Sequence, residues 1–230
     1  MPARLTPAGA VGARPRVLSM TEQVYDQLKE DILVARWKPD SLLIEADLAE
    51  KYRMSKTPVR EALRLLVRDG LVVVLPRRGY LVRAISLSDT REVFGLRTMI
   101  EPELAADAAR FSGAAGVAVL SDLIDQQRQE ADLDSSLGAA RLFHLELAEL
   151  ANNQRAARVL HGLLDEVRRL HHLMPSVESH IWSGEEIGAH VAILAAVRDR
   201  DTASAHELMK RHLDEVSRSM MEALTSVRLG

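Results

Sequence analysis

Three histidines lie on the apolar faces of three predicted helices in the second half of the chain: His144, His190 and His212. His190 and His212 are each about 11 residues from the turn predicted at residues 199–201. In an antiparallel helix pair both would lie roughly 16 Å from that turn, level with each other. Two level imidazoles with a third from another helix are typical of a metal site inside a helical bundle. Three buried, neutral, hydrogen-bonded histidines would give the same pattern, so both interpretations stay open.

A second group of residues that could do chemistry is cationic and lies nearer the N terminus. Lys56, Arg60 and Arg64 recur every fourth residue, so on a helix they form one basic stripe. The same helix would bury a different face, made of Val59, Ala62, Leu63 and Leu66. Such a helix fits the major groove of B-DNA, where Lys and Arg donate to guanine or to phosphate. A solvated helix face would carry the same stripe, so the stripe alone does not distinguish a DNA-binding helix from an ordinary surface helix.

Two neighbouring features favour DNA binding. Ser55 or Thr57 can cap the N terminus of this helix, where backbone N–H groups also bind phosphate. The sequence Arg77-Arg78-Gly79 follows as a predicted turn, and two cations beside a glycine suit a wing that approaches the DNA backbone or minor groove. We therefore expect these five residues to contact DNA together with the basic stripe.

Helical and strand periodicity places the two groups on separate domains. Residues 20–36, 45–52 and 56–69 predict three short helices, and residues 71–75 and 80–83 predict a β-hairpin. This order predicts a winged helix-turn-helix over residues 19–86, after a flexible tail at 1–18. Residues 87–230 predict an all-helical bundle of about six helices. The expected fold is therefore mainly α.

Charge divides at the same boundary. Residues 1–86 contain 15 Lys and Arg against 10 Asp and Glu, a net charge of +5, whereas residues 87–230 contain 15 against 23, a net charge of −8. A basic first domain attracts polyanions such as nucleic acid. The chain has no Cys, which excludes disulfides, thiolate catalysis and Cys-ligated metal centres. It shows neither a signal peptide nor an apolar run of the roughly 20 residues that cross a bilayer, so we expect a cytoplasmic protein with no membrane partner.

The segment from Ser55 to Leu66, SKTPVREALRLL, resembles the N-terminal domain of GntR-family transcriptional regulators. The resemblance implies a winged helix-turn-helix that binds a palindromic double-stranded DNA operator as a homodimer. It also implies that the DNA contacts come from Lys56, Thr57 and Arg60, with Arg78 and Gly79 in the wing. Lys56 departs from the family, which usually carries Arg there, and a lysine discriminates bases less well because it lacks the planar guanidinium.

The second domain looks like the FCD type of GntR effector domain, which is found in regulators that respond to fatty acids and other organic acids. The residues that carry this likeness are Arg97, Glu101, Phe143, His144, Asn153, His190 and His212. The resemblance implies a divalent transition metal, such as Zn or Ni, held by the three histidines and by an Asp four residues before the first. Ala140 occupies that position here, so a water or an effector carboxylate would complete the ligand set.

The same resemblance implies that Arg97 anchors a carboxylate effector; an ordinary salt bridge to Glu101 is the alternative. Together these features predict a ligand-responsive repressor that senses a small organic acid and is not an enzyme. Two alternatives remain: a metal-dependent enzyme built on the three histidines, and a DNA-binding scaffold whose helical domain only dimerises. His171 and His172, near Pro175, are expected to be exposed to solvent.

Overall fold

The computed structural model describes residues 18–130, 132–174 and 184–227. Its first part contains the helices α1 (Met20–Leu33), α2 (Glu45–Lys51) and α3 (Lys56–Arg68), and the strands β1 (Leu42–Leu43), β2 (Val72–Leu75) and β3 (Gly79–Val82). This order confirms the predicted winged helix-turn-helix. The tail predicted at 1–18 lies, except for Leu18, outside the described residues.

A capping signal in the sequence sets the start of α1. The Ser19 hydroxyl accepts a hydrogen bond from the Glu22 N–H at 3.2 Å, and the Glu22 carboxylate accepts one from the Ser19 N–H at 2.8 Å. This reciprocal pair satisfies two N–H groups that no helical carbonyl can reach. α1 then packs against α3 around a core in which Leu28, Ile32 and Leu63 are fully buried.

The three strands form an antiparallel sheet in the order β1-β3-β2. β2 and β3 are the predicted hairpin, with Val73 opposite Leu81. On its other edge β3 pairs with β1, where Leu42 lies opposite the same Leu81. The sequence does not predict β1, because two residues are too few to show an alternating pattern.

Six helices follow in the described part of the chain: α4 (Leu87–Phe111), α5 (Ala114–Gln129), α6 (Leu133–Leu150), α7 (Gln154–Leu173), α8 (Gly184–Arg198) and α9 (Thr202–Val227). They confirm the predicted helical bundle. α4 begins with a capping box between Ser86 and Asp89 and packs along α9. The core between α5, α6, α8 and α9 includes Phe143, Ile193 and Leu213. None of the described helices is both long and apolar enough to cross a membrane.

Ion pairs join the two parts where α1 packs against α7. The Lys29 ammonium lies 2.7 Å from Asp165 of α7. Arg168 of α7 donates to both carboxylate oxygens of Glu30 at 2.8 Å each, and also to Asp134 at 2.7 Å. The helix that supports α3 is therefore held to the bundle by charged contacts.

Candidate DNA-reading face and histidine cluster

The structure places the basic stripe on the exposed side of α3. Lys56, Arg60 and Arg64 are exposed, whereas the residues of the predicted apolar face are buried. Ser55 is the N-cap residue, and its exposed side chain makes no capping hydrogen bond within the described chain. Thr57 is exposed in the first turn. The N-terminal end of α3 therefore presents hydroxyl groups, cations and free backbone N–H groups to solvent.

Two cations of the stripe have carboxylate partners at the protein surface. Arg60 donates to Glu45 at the start of α2, with an Nη2–Oε2 distance of 2.7 Å, and Arg64 donates to Glu61 at 2.7 Å. The hydrogen bond from Arg60 lowers the pKa of the Glu45 carboxyl. Because both pairs are open to solvent, a DNA phosphate can replace either carboxylate at a small cost in free energy.

α3 and the wing line one open groove. Lys56 and Arg60 lie on one side and Arg77 and Arg78 on the other, around a space of about 460 Å³. Both wing arginines are exposed. The cations of α3 and those of the wing thus line one groove, so a polyanion bound there could contact all of them.

The backbone of the wing has two unusual residues. Arg77 adopts the left-handed conformation, with a φ of +65°. Gly79 has a φ of +123°, and a Cβ there would lie 2.6 Å from the carbonyl oxygen of Leu43 in β1. Only glycine therefore lets the wing approach β1 this closely, so its role in this structure is to shape the turn.

The three histidines meet in the core of the helical bundle. The ring centroids of His190 and His212 are 4.9 Å apart, and that of His144 lies 5.2 Å from His190 and 5.3 Å from His212. One ring nitrogen from each lies within 4.8 Å of the other two. All three residues are buried. The helices therefore bring three imidazoles to one point away from bulk water.

Hydrogen bonds fix two of these rings. His144 Nδ1 lies 2.5 Å from Glu101 Oε2, and His190 Nδ1 lies 2.9 Å from Gln127 Oε1. A ring whose Nδ1–H donates to an oxygen presents an unprotonated Nε2, the form that binds a metal. His190 Nε2 is buried and has no hydrogen-bond partner among the described residues. The donor set therefore fits a metal ion better than a closed network of neutral histidines.

Arg97 forms a salt bridge with Glu101, which was the alternative to its predicted role as an anchor for a carboxylate effector. Its Nε donates to Glu101 Oε1 at 2.5 Å, and both side chains are buried. Burial alone would raise the pKa of the Glu101 carboxyl, but Arg97 and His144 outweigh this effect and lower it to about 2. Burial, followed by the charges of His144 and Arg97, holds the pKa of His190 well below its ordinary value. The cluster thus combines a buried ion pair with a His190 imidazole held in the neutral form that metals require.

A cavity of about 40 Å³ borders the cluster, which is room for roughly two or three water-sized groups. Its lining includes Arg97, Ala140, Arg141, His144, Glu186 and His212. Ala140 lies one turn before His144, and its methyl group cannot bind a metal. Burial raises the pKa of Glu186 to about 8, although Arg97 opposes the rise.

Arg141 connects this cavity to the first part of the chain. Its Nη2 donates to Asp165 Oδ1 at 2.8 Å, and the other oxygen of Asp165 contacts Lys29 of α1 at 2.7 Å. The Arg141 Nε is buried and has no hydrogen-bond partner within the described chain. An acidic group in the cavity would supply the acceptor for this donor.

Sequence reasoning misses Gln127 and the contact between Glu101 and His144. Gln127 continues the buried face of α5 that carries Leu120 and Ile124, and a polar residue within an apolar stripe is the signal that could have found it. No local signal predicts the Glu101 contact, because its partner is 43 residues away.

The expectation for the neighbouring histidines of α7 is corrected in part. His171 is buried, because it lies four residues after Val167 on the apolar face of α7, whereas the prediction rested on the nearby proline. His172 is half-buried, and its Nε2 lies 3.1 Å from Asp134.

Comparison with known proteins matches both parts of the chain. Residues 20–82 match the family described as bacterial regulatory proteins, gntR family, and residues 92–215 match the FCD domain. The exposed basic stripe of α3 and the wing lie within the first segment, and the three histidines and Arg97 lie within the second.

Full-length relatives agree with these matches. The chain is 28% identical over 207 residues to the HTH-type transcriptional repressor RspR of Escherichia coli K12, covering 88% of this chain and 90% of that protein. It is 30% identical over 198 residues to the HTH-type transcriptional repressor GlaR of the same strain, covering 82% and 90%.

Solved structures share the fold. Escherichia coli McbR/YncC has a TM-score of 0.77 at 24% identity over 90% of this chain and 99% of that one. The crystal structure of “a putative transcriptional regulator GntR from Rhodococcus sp. RHA1” has a TM-score of 0.74 at 26% identity over 88% of this chain and 97% of that one. The enzyme alternative is not supported, because the matched families and relatives are transcriptional regulators, which bind DNA and usually act as dimers. The chain belongs to the GntR family of bacterial transcriptional regulators and carries an FCD domain.

Proposed function

We propose that this regulator is a repressor that binds a palindromic operator as a homodimer and releases it when a small organic acid binds beside a divalent transition metal. One observation carries the proposal. A continuous path of ion pairs runs from the cavity through Arg141 and Asp165 to Lys29, on the helix against which α3 packs. Such a path gives a ligand in the cavity a physical means of moving the DNA-reading helix.

On the DNA side, the exposed N-terminal half of α3 enters the major groove. Lys56 and Arg60 donate to base edges or phosphates, while Ser55, Thr57 and Arg64 contact the backbone. Arg77 and Arg78 in the wing approach the flanking phosphates, and Gly79 keeps the wing in place. A homodimer would set two α3 helices about one helical turn apart, which is roughly 34 Å on B-DNA.

In the helical domain, His144, His190 and His212 would hold the metal. Zn²⁺ and Ni²⁺ both suit imidazole nitrogen, and the bound ion would supply a Lewis-acid position for a ligand carboxylate. Glu101 and Gln127 orient two of the rings. Arg97 and Arg141 are the cations of the cavity wall that attract an acidic ligand.

Release follows from competition for Arg141. An acidic group that accepts from Arg141 competes with Asp165, whose second oxygen holds Lys29. Once Arg141 is released, Asp165 is no longer held in one orientation and can move with Lys29, so α1 shifts against α7 and α3 shifts with it. Because both half-sites must fit the dimer at once, a small shift of each α3 lowers operator affinity.

Fluorescence anisotropy with labelled duplexes that tile the DNA upstream of the protein's own gene tests the DNA side. The double variant Lys56→Ala with Arg60→Ala should bind the recognised duplex at least about 30-fold more weakly, because each base-edge contact contributes about 1–3 kcal/mol. The matched control is Arg128→Ala with Lys210→Ala, which removes the same charge from α5 and α9 and should leave affinity unchanged. Equal affinities of the two double variants would contradict the role given to α3.

The same assay tests the ligand side with formate, acetate and glycolate as probes, because these acids are the small ones that a cavity of about 40 Å³ can admit. An acid that releases the duplex from the wild type should fail to do so with the double variant Arg97→Met and Glu101→Leu, which removes a cation from the cavity wall without leaving its buried partner alone. Equal release from both proteins would exclude Arg97 as an anchor. Retention of the duplex at every concentration of all three acids would contradict the organic-acid class.

A further inference from the structure

We propose that the Tyr25 hydroxyl transmits the ligand-induced shift of α1 to both elements that read DNA, by holding Asp69 at the junction between α3 and the wing. This inference rests on the release mechanism proposed above and names the residue through which that mechanism acts. Tyr25 is a positioning residue, because it reaches the DNA-reading elements through Asp69.

A hydrogen bond joins α1 to the end of α3. The Tyr25 Oη donates to Asp69 Oδ2 at 2.5 Å, across 44 residues of chain. Burial, with the hydrogen bond to Asp69, raises the pKa of the Tyr25 hydroxyl, so this group keeps its proton and remains a donor. The other oxygen of Asp69 lies 3.3 Å from Nε of the neighbouring Arg68. A hydrogen bond to a carboxylate is strong, so Asp69 is held to α1 as well as to its own helix.

Asp69 lies where the two DNA-reading elements meet. It is the C-cap residue of α3, and its N–H donates to the Leu65 carbonyl oxygen at 2.9 Å. The chain turns at Gly70, and β2 of the wing begins at Val72. Because only this turn separates α3 from the wing, a displacement of Asp69 moves both elements.

The ring of Tyr25 faces the ion pair that links α1 to the bundle. Lys29 follows Tyr25 by one helical turn, and its ammonium lies 5.7 Å from the centre of the ring, within range of a cation–π contact. The same ammonium contacts Asp165 at 2.7 Å. Asp165 in turn accepts from Arg141 of the cavity wall at 2.8 Å. A series of contacts therefore runs from Arg141 to Asp69.

Apolar packing between α1 and α3 would transmit a shift less faithfully than this hydrogen bond. The core contacts of Leu28, Ile32 and Leu63 are non-directional, so they tolerate sliding of one helix over the other. A hydrogen bond weakens steeply when its length or angle changes. Asp69 must therefore follow α1 or lose its partner.

A double-variant cycle on the full-length protein tests the role of Tyr25. Fluorescence anisotropy uses the labelled duplex that the wild type recognises, with no ligand present. Arg141→Met removes a partner of Asp165, as a ligand would, and should weaken duplex binding by about 5-fold or more. In the Tyr25→Phe background the same change should weaken binding by less than about 2-fold, because the link to Asp69 is already broken. The matched control Tyr52→Phe removes a hydroxyl from the C-cap residue of α2 and should leave the effect of Arg141→Met intact.

Hydrogen–deuterium exchange gives a readout that needs no DNA. The N–H groups of Asp69, Gly70 and Leu71 donate to carbonyl oxygens near the end of α3, so their exchange rates report on the junction. Tyr25→Phe should raise these rates by about 3- to 10-fold, the loss expected for one hydrogen bond. Tyr52→Phe should leave them unchanged.

The outcomes separate this inference from the mechanism on which it rests. Equal effects of Arg141→Met in the wild type and in Tyr25→Phe would overturn the role of Tyr25 and leave the release mechanism in place, as would unchanged exchange at the junction. An Arg141→Met protein that binds the duplex like the wild type would overturn the release path itself. Asp69→Asn keeps an oxygen that accepts from Tyr25 and should retain most of the effect of Arg141→Met, whereas Asp69→Ala should behave like Tyr25→Phe.

Discussion

Two arginine–glutamate pairs in this protein have the same chemistry and opposite surroundings. Arg60 and Glu45 of the DNA-reading face lie 2.7 Å apart with side-chain exposures of 49% and 23%. Arg97 and Glu101 of the helical domain lie 2.5 Å apart with exposures of 3% and 2%. The exposed pair is worth at most about 1 kcal/mol, so an anion from solution can replace the carboxylate of Glu45 at little cost. The buried pair is fixed, because either charge left alone would be strongly destabilising.

The difference shows that one chain can hold the same ion pair in two states, exchangeable at the surface and fixed in the core. The exposed cations of α3 lie in water, where phosphate and carboxylate are nearly equivalent partners. Charges that must orient a histidine sit in the core, where each has a designated partner. Loss of charge should therefore affect binding in the first region and stability in the second.

The largest expected effect is on the buried pair. Glu101→Ala should lower the free energy of unfolding by about 3–5 kcal/mol, because it leaves the Arg97 guanidinium buried without a partner. Glu45→Ala should change it by less than about 0.5 kcal/mol. Urea denaturation followed by circular dichroism measures both. The double variant Arg97→Met with Glu101→Leu should recover most of the loss, and failure to recover would mean that packing rather than charge controls this site.

The next largest effect is a dependence of the free energy of unfolding on pH, measured in buffer that contains a metal chelator. Burial, with the neighbouring His144 and Arg97, keeps the pKa of His190 and His212 well below the ordinary value, although Glu101 opposes this at His212. Below about pH 6.5 the unfolded chain binds protons at these residues and the folded chain does not. As the pH is lowered below about 6.5, the free energy of unfolding should therefore decrease by about 1.4 kcal/mol per pH unit for each histidine.

Urea titrations between pH 7 and pH 5 measure that slope. His190→Asn should reduce it by about half, since one of the two titrating groups is lost. A slope that survives the removal of His190 would assign the pH dependence to another part of the molecule.

The smallest effect on stability is expected where the two regions meet. Glu30→Gln weakens the contact with Arg168, whose side chain is 18% exposed against 45% for Glu30. Stability should fall by less than about 1 kcal/mol. The distance between the two domains should nevertheless become more variable, because the contact joins α1 to α7.

Spin labels measure that distance without background, since the chain contains no cysteine. With labels at Arg68→Cys and Arg128→Cys, Glu30→Gln should broaden the distance distribution. Glu50→Gln, an exposed change of the same charge on α2, should leave it unchanged. Identical distributions in the two variants would show that these ion pairs do not set the domain arrangement.

Much of this architecture follows from local sequence. The four-residue repeat of Lys56 and Arg60 gives the exposed face of α3, and equal distances from one turn place His190 and His212 at the same height. The contacts that complete each site join residues that are far apart in the sequence. Glu45 reaches Arg60 from another helix, and Gln127 reaches His190 across 63 residues. Such partners depend on how helices pack, which no local spacing encodes.

The wing carries a further consequence in its backbone. Arg77 adopts the left-handed conformation, which costs an L residue about 1–2 kcal/mol. Glycine adopts the same conformation freely. Selection for heat resistance alone would favour glycine there, and the resulting domain would be sturdier but would have lost a positive charge at its tip. Laboratory evolution for thermal stability would thus remove one of the cations that line the groove between α3 and the wing.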